Sequence, residues 1–534
     1  MRSAFSTSSS EQLLLALEDA VGGARGALVT DADDMAPYGR DWLGQYGERP
    51  MAVVRPASTA EVSAVVSACA RAGVPVVPQG GNTGLVGGGV PMEADREVVL
   101  SLDRMRSIRG FDEDSGVVTV EAGCVLGTVD KMLREEHGRC MPVDLGAKGS
   151  CTVGGNLATA AGGVHVVRWG TLHASVVGVE AVLADGTVVD GLRTALKSNA
   201  GYHWPHLLVG SEGTLGIITA ATVRTPPAPA ARTVALLGFG SWGGLRSAVR
   251  RAMGPSGLAE TISAVEYLDS AAVDVAVRWG GQKDPLDERY PFVLLLEAAG
   301  ASAAYCGERM EDVAMRSLAS DDAITAVIAS TGAQEDAVWG LREGVTEALS
   351  RRGQALKFDV SLPLARMAGP DGAVRATRRR LEEELPGGWM SRGFVPEGSG
   401  AESPAGRGWG SGGEDAGGVL VCGYGHVGDG NLHLNVSVPS DGDGGLLAPE
   451  ARGPATLHDA VDAAKGATIP WLPEWVAAEG GRAGSVSAEH GVGVSKLSYA
   501  SLSRGRGEED LMRRLKAALD PRGTLLPGRV LGTE

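Results

Sequence analysis

The sequence predicts an α+β protein: an α/β domain threaded by glycine-rich loops, then a domain of longer strands and amphipathic helices, then a short helical C-terminal segment. Three observations carry this expectation. Strand-like and helix-like runs alternate over residues 50–190 and are interrupted by glycine runs. Pro226, Pro227 and Pro229 then break the pattern. From about 230 to 480 the apolar runs lengthen, and about 508–520 reads as a charged amphipathic helix. The resulting divisions are an N-terminal extension over 1–48, a glycine-loop domain over 49–228, a second domain over 229–480 and a closing segment over 481–534.

Each element has its own signal. Met51–Arg55 reads as a strand. Ser58-Thr59-Ala60-Glu61 is a capping box that opens a helix to about Ala72. Val74–Val77 is a second strand and runs straight into Gln79-Gly80-Gly81-Asn82-Thr83-Gly84-Leu85-Val86-Gly87-Gly88-Gly89. Ala184-Asp185-Gly186-Thr187 is a hairpin signal. Residues 387–418 hold 12 glycines among 32, a composition that buries little, so a disordered surface insertion is expected there, with a second loop at 440–454.

Composition excludes some functions. Hydrophobic residues are 43% and charged residues 21%, ordinary for a soluble globular chain. No run approaches the roughly 20 apolar residues of a membrane span. A formal charge of −16 argues against nucleic acid, which requires clustered Lys and Arg. Cysteines 69, 124, 140, 151, 306 and 422 form no C-x-x-C pair and read as reduced intracellular thiols. The start, MRSAFSTSSS, has one Arg, many hydroxyl groups and no acid before Glu11. It is similar to the end of a mitochondrial presequence; the alternative is a cytoplasmic protein with a disordered polar start.

Glycine runs need sorting. Two runs beside strand-like sequence fit G-x-G-x-x-G: Gly238–Gly243 and Gly423–Gly428. With 79 glycines in 534 residues, roughly two matches are expected by chance. Glu266 lies at a suitable distance from the first, but Ile262–Asp269 is too polar for a buried parallel strand. The second leads into an alternating strand, so both read as chance. Pro78–Gly89 is different: a strand ending in a glycine run exposes successive N–H groups as an anion nest. Met141–Asn156 with Ala158–Gly163, and Val209–Ile218, are two further glycine loops next to strand-like sequence. Three such loops can line one elongated cofactor.

These loops resemble the FAD-binding domain of the vanillyl-alcohol oxidase/p-cresol methylhydroxylase (PCMH) superfamily. Within it, the strings PQGGNTGLVGG, DLGAKGSC and GSEGTLGIIT resemble the D-2-hydroxyglutarate dehydrogenase family of FAD-linked 2-hydroxy-acid dehydrogenases. The resemblance covers about 50–228 and continues to about 531. It implies a two-part α/β FAD-binding domain and an antiparallel-sheet substrate domain. It also implies that Gly80, Gly81, Asn82, Thr83, Gly84 and Leu85 hold the pyrophosphate, with Pro78 among the cofactor-binding residues. Pro142, Asp144, Gly149, Ser150, Gly154, Gly155 and Asn156 would line the flavin side, with Gly162, Gly163 and Ile217 on the rest of the cofactor. Two departures stand out. The family reads Asn within ATNAGG, where this chain has Ala160-Ala161, and Asn-Pro where it has Leu526-Pro527. Members that tether FAD covalently use a His in the first loop; Asn82 implies non-covalent FAD.

Two C-terminal motifs carry metal and base chemistry. In His426-Val-Gly-Asp-Gly-Asn-Leu-His433-Leu-Asn435, His433 and Asn435 share one strand face, and the glycines allow a turn that brings in His426. Ser487-Ala-Glu489-His490-Gly491 is the second. Two imidazoles and a carboxylate match a His₂Glu site, which favours Zn²⁺ among divalent ions. A zinc hydrolase would use the same set, but no H-E-x-x-H helix exists and a hydrolase leaves the FAD loops unexplained. The resemblance implies that His426, His433 and Glu489 ligate the metal, Asn435 touches substrate and His490 is the general base. Arg342 and Thr346, four apart on an expected helix over Trp339–Leu349, and Lys357 on an expected strand, Leu356–Ser361, match positions that bind the substrate's carboxylate end.

The function implied is oxidation of D-2-hydroxyglutarate to 2-oxoglutarate. Hydride goes to the flavin, and electron-transfer flavoprotein is the acceptor by family analogy. The near alternative is D-lactate or another D-2-hydroxy acid. A flavoprotein that only relays electrons would need no base.

Overall fold

The computed structural model describes residues 7–385, 389–390, 418–440 and 457–532. The first six residues of the targeting-like start lie outside these, as do 387–388 and 391–417 of the glycine-rich insertion and 441–454 of the second loop. The chain forms two compact units. The first gathers the described residues up to Gly163, Trp169–Ala228 and those from Glu489 onward; the second holds Val164–Arg168 and Pro229–Ala488.

The first unit is built on two sheets. β1 (Leu28–Val29), β2 (Ala52–Val54), β3 (Val76–Gln79) and β4 (Val98–Ser101) lie in the order β1-β2-β4-β3. β2, β4 and β3 run parallel. β2 and β4 are buried along their whole length, as short apolar parallel strands should be. The helix Thr59–Ala72 starts as its capping box requires: Ser58 Oγ accepts the Glu61 N–H at 3.2 Å. It ends on Gly73 in the left-handed region, and the Val74 N–H goes to Cys69 O. That bond is why β3 begins two residues later than the expected Val74. β5 (Ile108–Asp112), β6 (Val117–Glu121), β7 (Val176–Val182), β8 (Val188–Asp190) and β9 (Ile217–Arg224) form an antiparallel sheet, ordered β5-β6-β9-β7-β8. The Ala184–Thr187 signal closes the β7–β8 hairpin, where Val182 faces Val188.

The second unit is one seven-stranded antiparallel sheet. Its strands are β10 (Ala231–Phe239), β11 (Ile262–Asp269), β12 (Phe292–Gly300), β13 (Thr325–Ile328), β14 (Gly353–Ser361), β15 (Leu420–Gly425) and β16 (Asn431–Pro439). The order is β13-β10-β12-β11-β15-β16-β14. Neither G-x-G-x-x-G run is a dinucleotide fingerprint. β10 is antiparallel to both neighbours, and Gly423–Gly428 forms the end of β15 and the turn into β16. One expectation needs correcting: β11, judged too polar to be buried, is buried at all eight positions, because its acids have internal partners. A second correction concerns the helix expected over Trp339–Leu349. It is two, Gly332–Glu343 and Val345–Arg352, meeting at Gly344. Gly344 keeps helical angles (φ −69°, ψ −16°), so Arg342 and Thr346 still share a face.

All six cysteines are buried, and none forms a disulfide among the described residues. Among the described residues no helix is long and apolar enough to cross a membrane.

Candidate active site

The three glycine loops meet in the first unit. A Cβ on Gly81 would lie 2.1 Å from Ser150 O, and one on Gly154 2.4 Å from Ala122 Cβ. Gly163 combines φ +128° with a Cβ position 2.2 Å from Asp144 O. Gly80 lies equally close to Thr152 Oγ1, and Gly213 of the third loop packs on Pro78. Only glycine permits backbone approaches this close. Beside Gly84 and Gly149 a Cβ would meet nothing within 4 Å. Glycine walls with open space along them fit an elongated cofactor carrying a pyrophosphate.

The remaining expected cofactor residues fall along these walls, with one exception. Asn82 (φ +52°) donates from Nδ2 to Arg40 O at 2.7 Å. Thr83 and Leu85 are half-buried, Pro142 is buried and Ser150 exposed. Asp144 pairs with Lys148 at 2.9 Å. The Gly155 N–H meets Thr152 Oγ1 at 3.4 Å, capping the helix Val153–Ala158, and buried Asn156 approaches Cys151 Sγ at 3.5 Å. That helix ends on Ala160 at φ +48°: the Ala161 N–H bonds Asn156 O and the Ala160 N–H bonds Leu157 O, the Schellman pattern. Ile217 is the exception, since its side chain lies in the core with Val54 and Leu100.

Glu489 and the residues after it run along all three loops. A Cβ on Gly162 would lie 2.8 Å from Glu489 Oε2. The Val492 and Gly493 N–H groups donate to Glu212 Oε1 and Oε2 at 2.7 and 2.8 Å. The Val494 N–H donates to Val86 O at 2.9 Å. Glu212, not anticipated from the sequence, holds this strap, and burial pushes its carboxyl up. His490 Nε2 lies 3.6 Å from Glu489 Oε1.

The second unit assembles the substrate and metal residues. The antiparallel register sets Asp359 and Tyr424 opposite His433, and Lys357 opposite Asn435. Opposed residues share a sheet face. The His426 and His433 rings are 5.1 Å apart and nearly perpendicular. His433 Nδ1 lies 3.7 Å from Asp359 Oδ1, and Asn431 donates to that oxygen at 2.8 Å. His426 Nδ1 meets Glu266 Oε1 at 2.7 Å, while Glu266 Oε2 accepts from Arg342 Nε at 2.7 Å. Burial alone would push the Glu266 carboxyl up, but His426 and Arg342 hold it below the usual carboxylate range. The Arg342 guanidinium lies 4.8 Å over the Tyr424 ring, and Thr346 Oγ1 is 2.8 Å from the Tyr424 hydroxyl. Burial lowers the Lys357 pKa.

Arg342, Thr346, Asn435, His426 and His433 therefore surround Tyr424 and Glu266. Tyr424 was not named from the sequence, and Glu266 was named only for its spacing from the Gly238–Gly243 run. An ionised carboxylate only accepts, so His426 Nδ1 is the donor of this bond, which in the neutral ring leaves the lone pair on Nε2. Two adjacent imidazoles, one of them oriented by a buried carboxylate, fit a divalent cation. Glu489 and His490 belong to the first unit. Within the second unit, the segment 485–488 pairs with β14: Ser485 and Ser361 exchange backbone bonds at 2.9 Å, and the Ala488 N–H donates to Asp359 Oδ2 at 3.1 Å.

Comparison with known proteins agrees in family and fold. Residues 50–191 match the FAD binding domain family, and 228–530 match the family of FAD linked oxidases, C-terminal domain. The mitochondrial D-2-hydroxyglutarate dehydrogenase of Bos taurus is 38% identical over 98% of this chain and 84% of its own length. A putative mitochondrial D-lactate dehydrogenase of Schizosaccharomyces pombe is 36% identical over 93% and 85%. The D-2-hydroxyglutarate dehydrogenase of Xanthomonas citri pv. viticola is 34% identical over 97% of both chains. Among solved structures, substrate-bound p-cresol methylhydroxylase superposes with a TM-score of 0.69 at 15% identity, covering 99% of this chain and 98% of that one. The fold is thus of the vanillyl-alcohol oxidase/PCMH type. The chain belongs to the FAD-linked oxidases, in the D-2-hydroxyglutarate dehydrogenase family, and is an FAD-dependent oxidoreductase.

Proposed function

We propose that this enzyme oxidises D-2-hydroxyglutarate to 2-oxoglutarate, with residues 49–228 holding FAD and 229–480 holding substrate. One observation carries the reading: Arg342 and Thr346 are held on Tyr424, one residue pair away from the two imidazoles. A carboxylate-reading pole thus adjoins a metal-ligating pole, as a diacid with a C2 hydroxyl requires. Arg342, Thr346 and Lys357 bind the distal carboxylate, the planar Arg fork suiting it in particular. Asn435 hydrogen-bonds at the reacting end. His490 takes the hydroxyl proton as the C2–H bond breaks and C=O forms. When bound, FAD supplies the two-electron acceptor, and a divalent cation on His426, His433 and Glu489, with Zn²⁺ favoured, supplies Lewis-acid polarisation. Likeness to relatives named mitochondrial supports the same location here; electron-transfer flavoprotein is the proposed acceptor by family analogy alone.

The test is anaerobic mixing of the purified protein with D-2-hydroxyglutarate, D-lactate and other 2-hydroxy acids while the flavin colour is followed. D-2-hydroxyglutarate is expected to bleach it fastest, and acid precipitation should release the FAD, since Asn82 offers no imidazole for a covalent tether. His490→Ala should retain FAD and metal yet slow flavin reduction by about 10²–10⁴. A colourless protein, or undiminished reduction in that variant, overturns the scheme. Oxidation of D-lactate is a second reading, favoured by the fission-yeast relative; faster bleaching by D-lactate would establish it.

A further inference from the structure

We propose that Glu266 is a positioning residue that couples the metal-binding imidazole of His426 to the carboxylate-reading guanidinium of Arg342. The inference rests on the roles given to those two residues above. Glu266 is fully buried in β11, and its two oxygens are each spent on one partner at 2.7 Å. The partners come from different elements: Arg342 from the helix Gly332–Glu343, His426 from the turn after β15.

The arrangement depends on a property of carboxylates. A carboxylate offers two acceptors and no donor, so it satisfies both N–H groups at once. An amide of the same shape offers one acceptor and one donor, and can serve only one of them. Arg342 is charged and always a donor, so its bond is the stronger and it claims the amide oxygen. The amide NH₂ then faces His426 Nδ1, which must accept. The ring proton moves to Nε2, and the nitrogen that would bind metal loses its lone pair. One side chain therefore sets the histidine tautomer and the pose of the arginine together.

The experiment is a Zn²⁺ titration, against a chromophoric chelator, of the wild-type protein and its variants with no hydroxy acid present. Glu266→Gln should weaken Zn²⁺ binding by about 10–100-fold, the usual range for losing the partner that orients a ligand. In an Arg342→Ala background the same substitution should weaken it much less, because the amide oxygen is then free for His426. A purely structural role would give equal losses in both backgrounds. Affinity within threefold of wild type, or equal losses, overturns the proposal. Should Glu266→Gln not fold, Glu266→Asp keeps the charge and retracts both oxygens by one carbon; the same fall is expected and an unchanged affinity overturns. Because no hydroxy acid enters the titration, a wild-type protein that ignores D-2-hydroxyglutarate would sink the substrate reading without altering this result.

Discussion

Arg342→Ala is expected to lower kcat/KM for D-2-hydroxyglutarate by about 10⁴ and to affect D-lactate far less, the scale seen when a buried site loses the partner of a charged group. The distal carboxylate must be neutralised once water leaves the site. Arg342 is 7% exposed and stacked over Tyr424, which holds Thr346, so its loss also loosens the hydroxyl that shares the task. The substitution leaves Glu266 with one partner fewer, and breaking a buried pair costs about 3–5 kcal/mol. Some protein will therefore be lost. The ratio of the two substrates, taken on one preparation, cancels that loss. If both acids suffer equally, or wild type prefers D-lactate, these residues do not read a distal carboxylate.

His433→Ala should abolish turnover while the protein stays yellow. His433 lies in the antiparallel sheet of the second unit, whereas the glycine loops belong to the first, so flavin retention and metal binding are separable readouts. The variant removes a ring packed against Tyr424 and His426, and a cavity could be blamed for lost activity. Chelator treatment of wild type removes the ion and leaves every side chain in place. The two should agree, and Zn²⁺ should restore only the wild type. Full activity in metal-free protein would remove the cation from the chemistry.

The cofactor side was far more legible in the sequence than the substrate side. Gly81, Gly154 and Gly163 sit where a Cβ would strike backbone or a methyl group, so close packing had already written itself into composition. The capping box and the hairpin at Ala184–Thr187 are local, and local chemistry is visible in a short window. The hubs of the second unit are not local. Glu266 meets Arg342 and His426 across 76 and 160 residues, and Tyr424 meets Thr346 across 78. Strand register and the packing of two helices on the sheet bring them together. A signal existed nonetheless: an acid inside ISAVEYLD is an expensive residue to bury alone, and asking what neutralises it leads to Arg342 and His426. The polarity of that stretch was instead weighed against burial. Asp359 was hidden for the same reason, as the cross-strand neighbour of His433.

The two places where this chain leaves the family pattern share a backbone state. Ala160 stands at φ +48° and Leu526 at φ +49°, a region that asparagine enters readily and other L-residues resist by about 1–2 kcal/mol. Here alanine and leucine occupy the same bends, held by neighbouring contacts. Ala160→Asn, at a half-buried helix end, should recover about 1 kcal/mol by chemical denaturation and leave flavin reduction unchanged. Leu526 is 2% exposed, so the same change there would set an amide in an apolar setting and lose what it gained. Asparagine would then be accommodated at one bend and excluded from the other, because the core encloses Leu526.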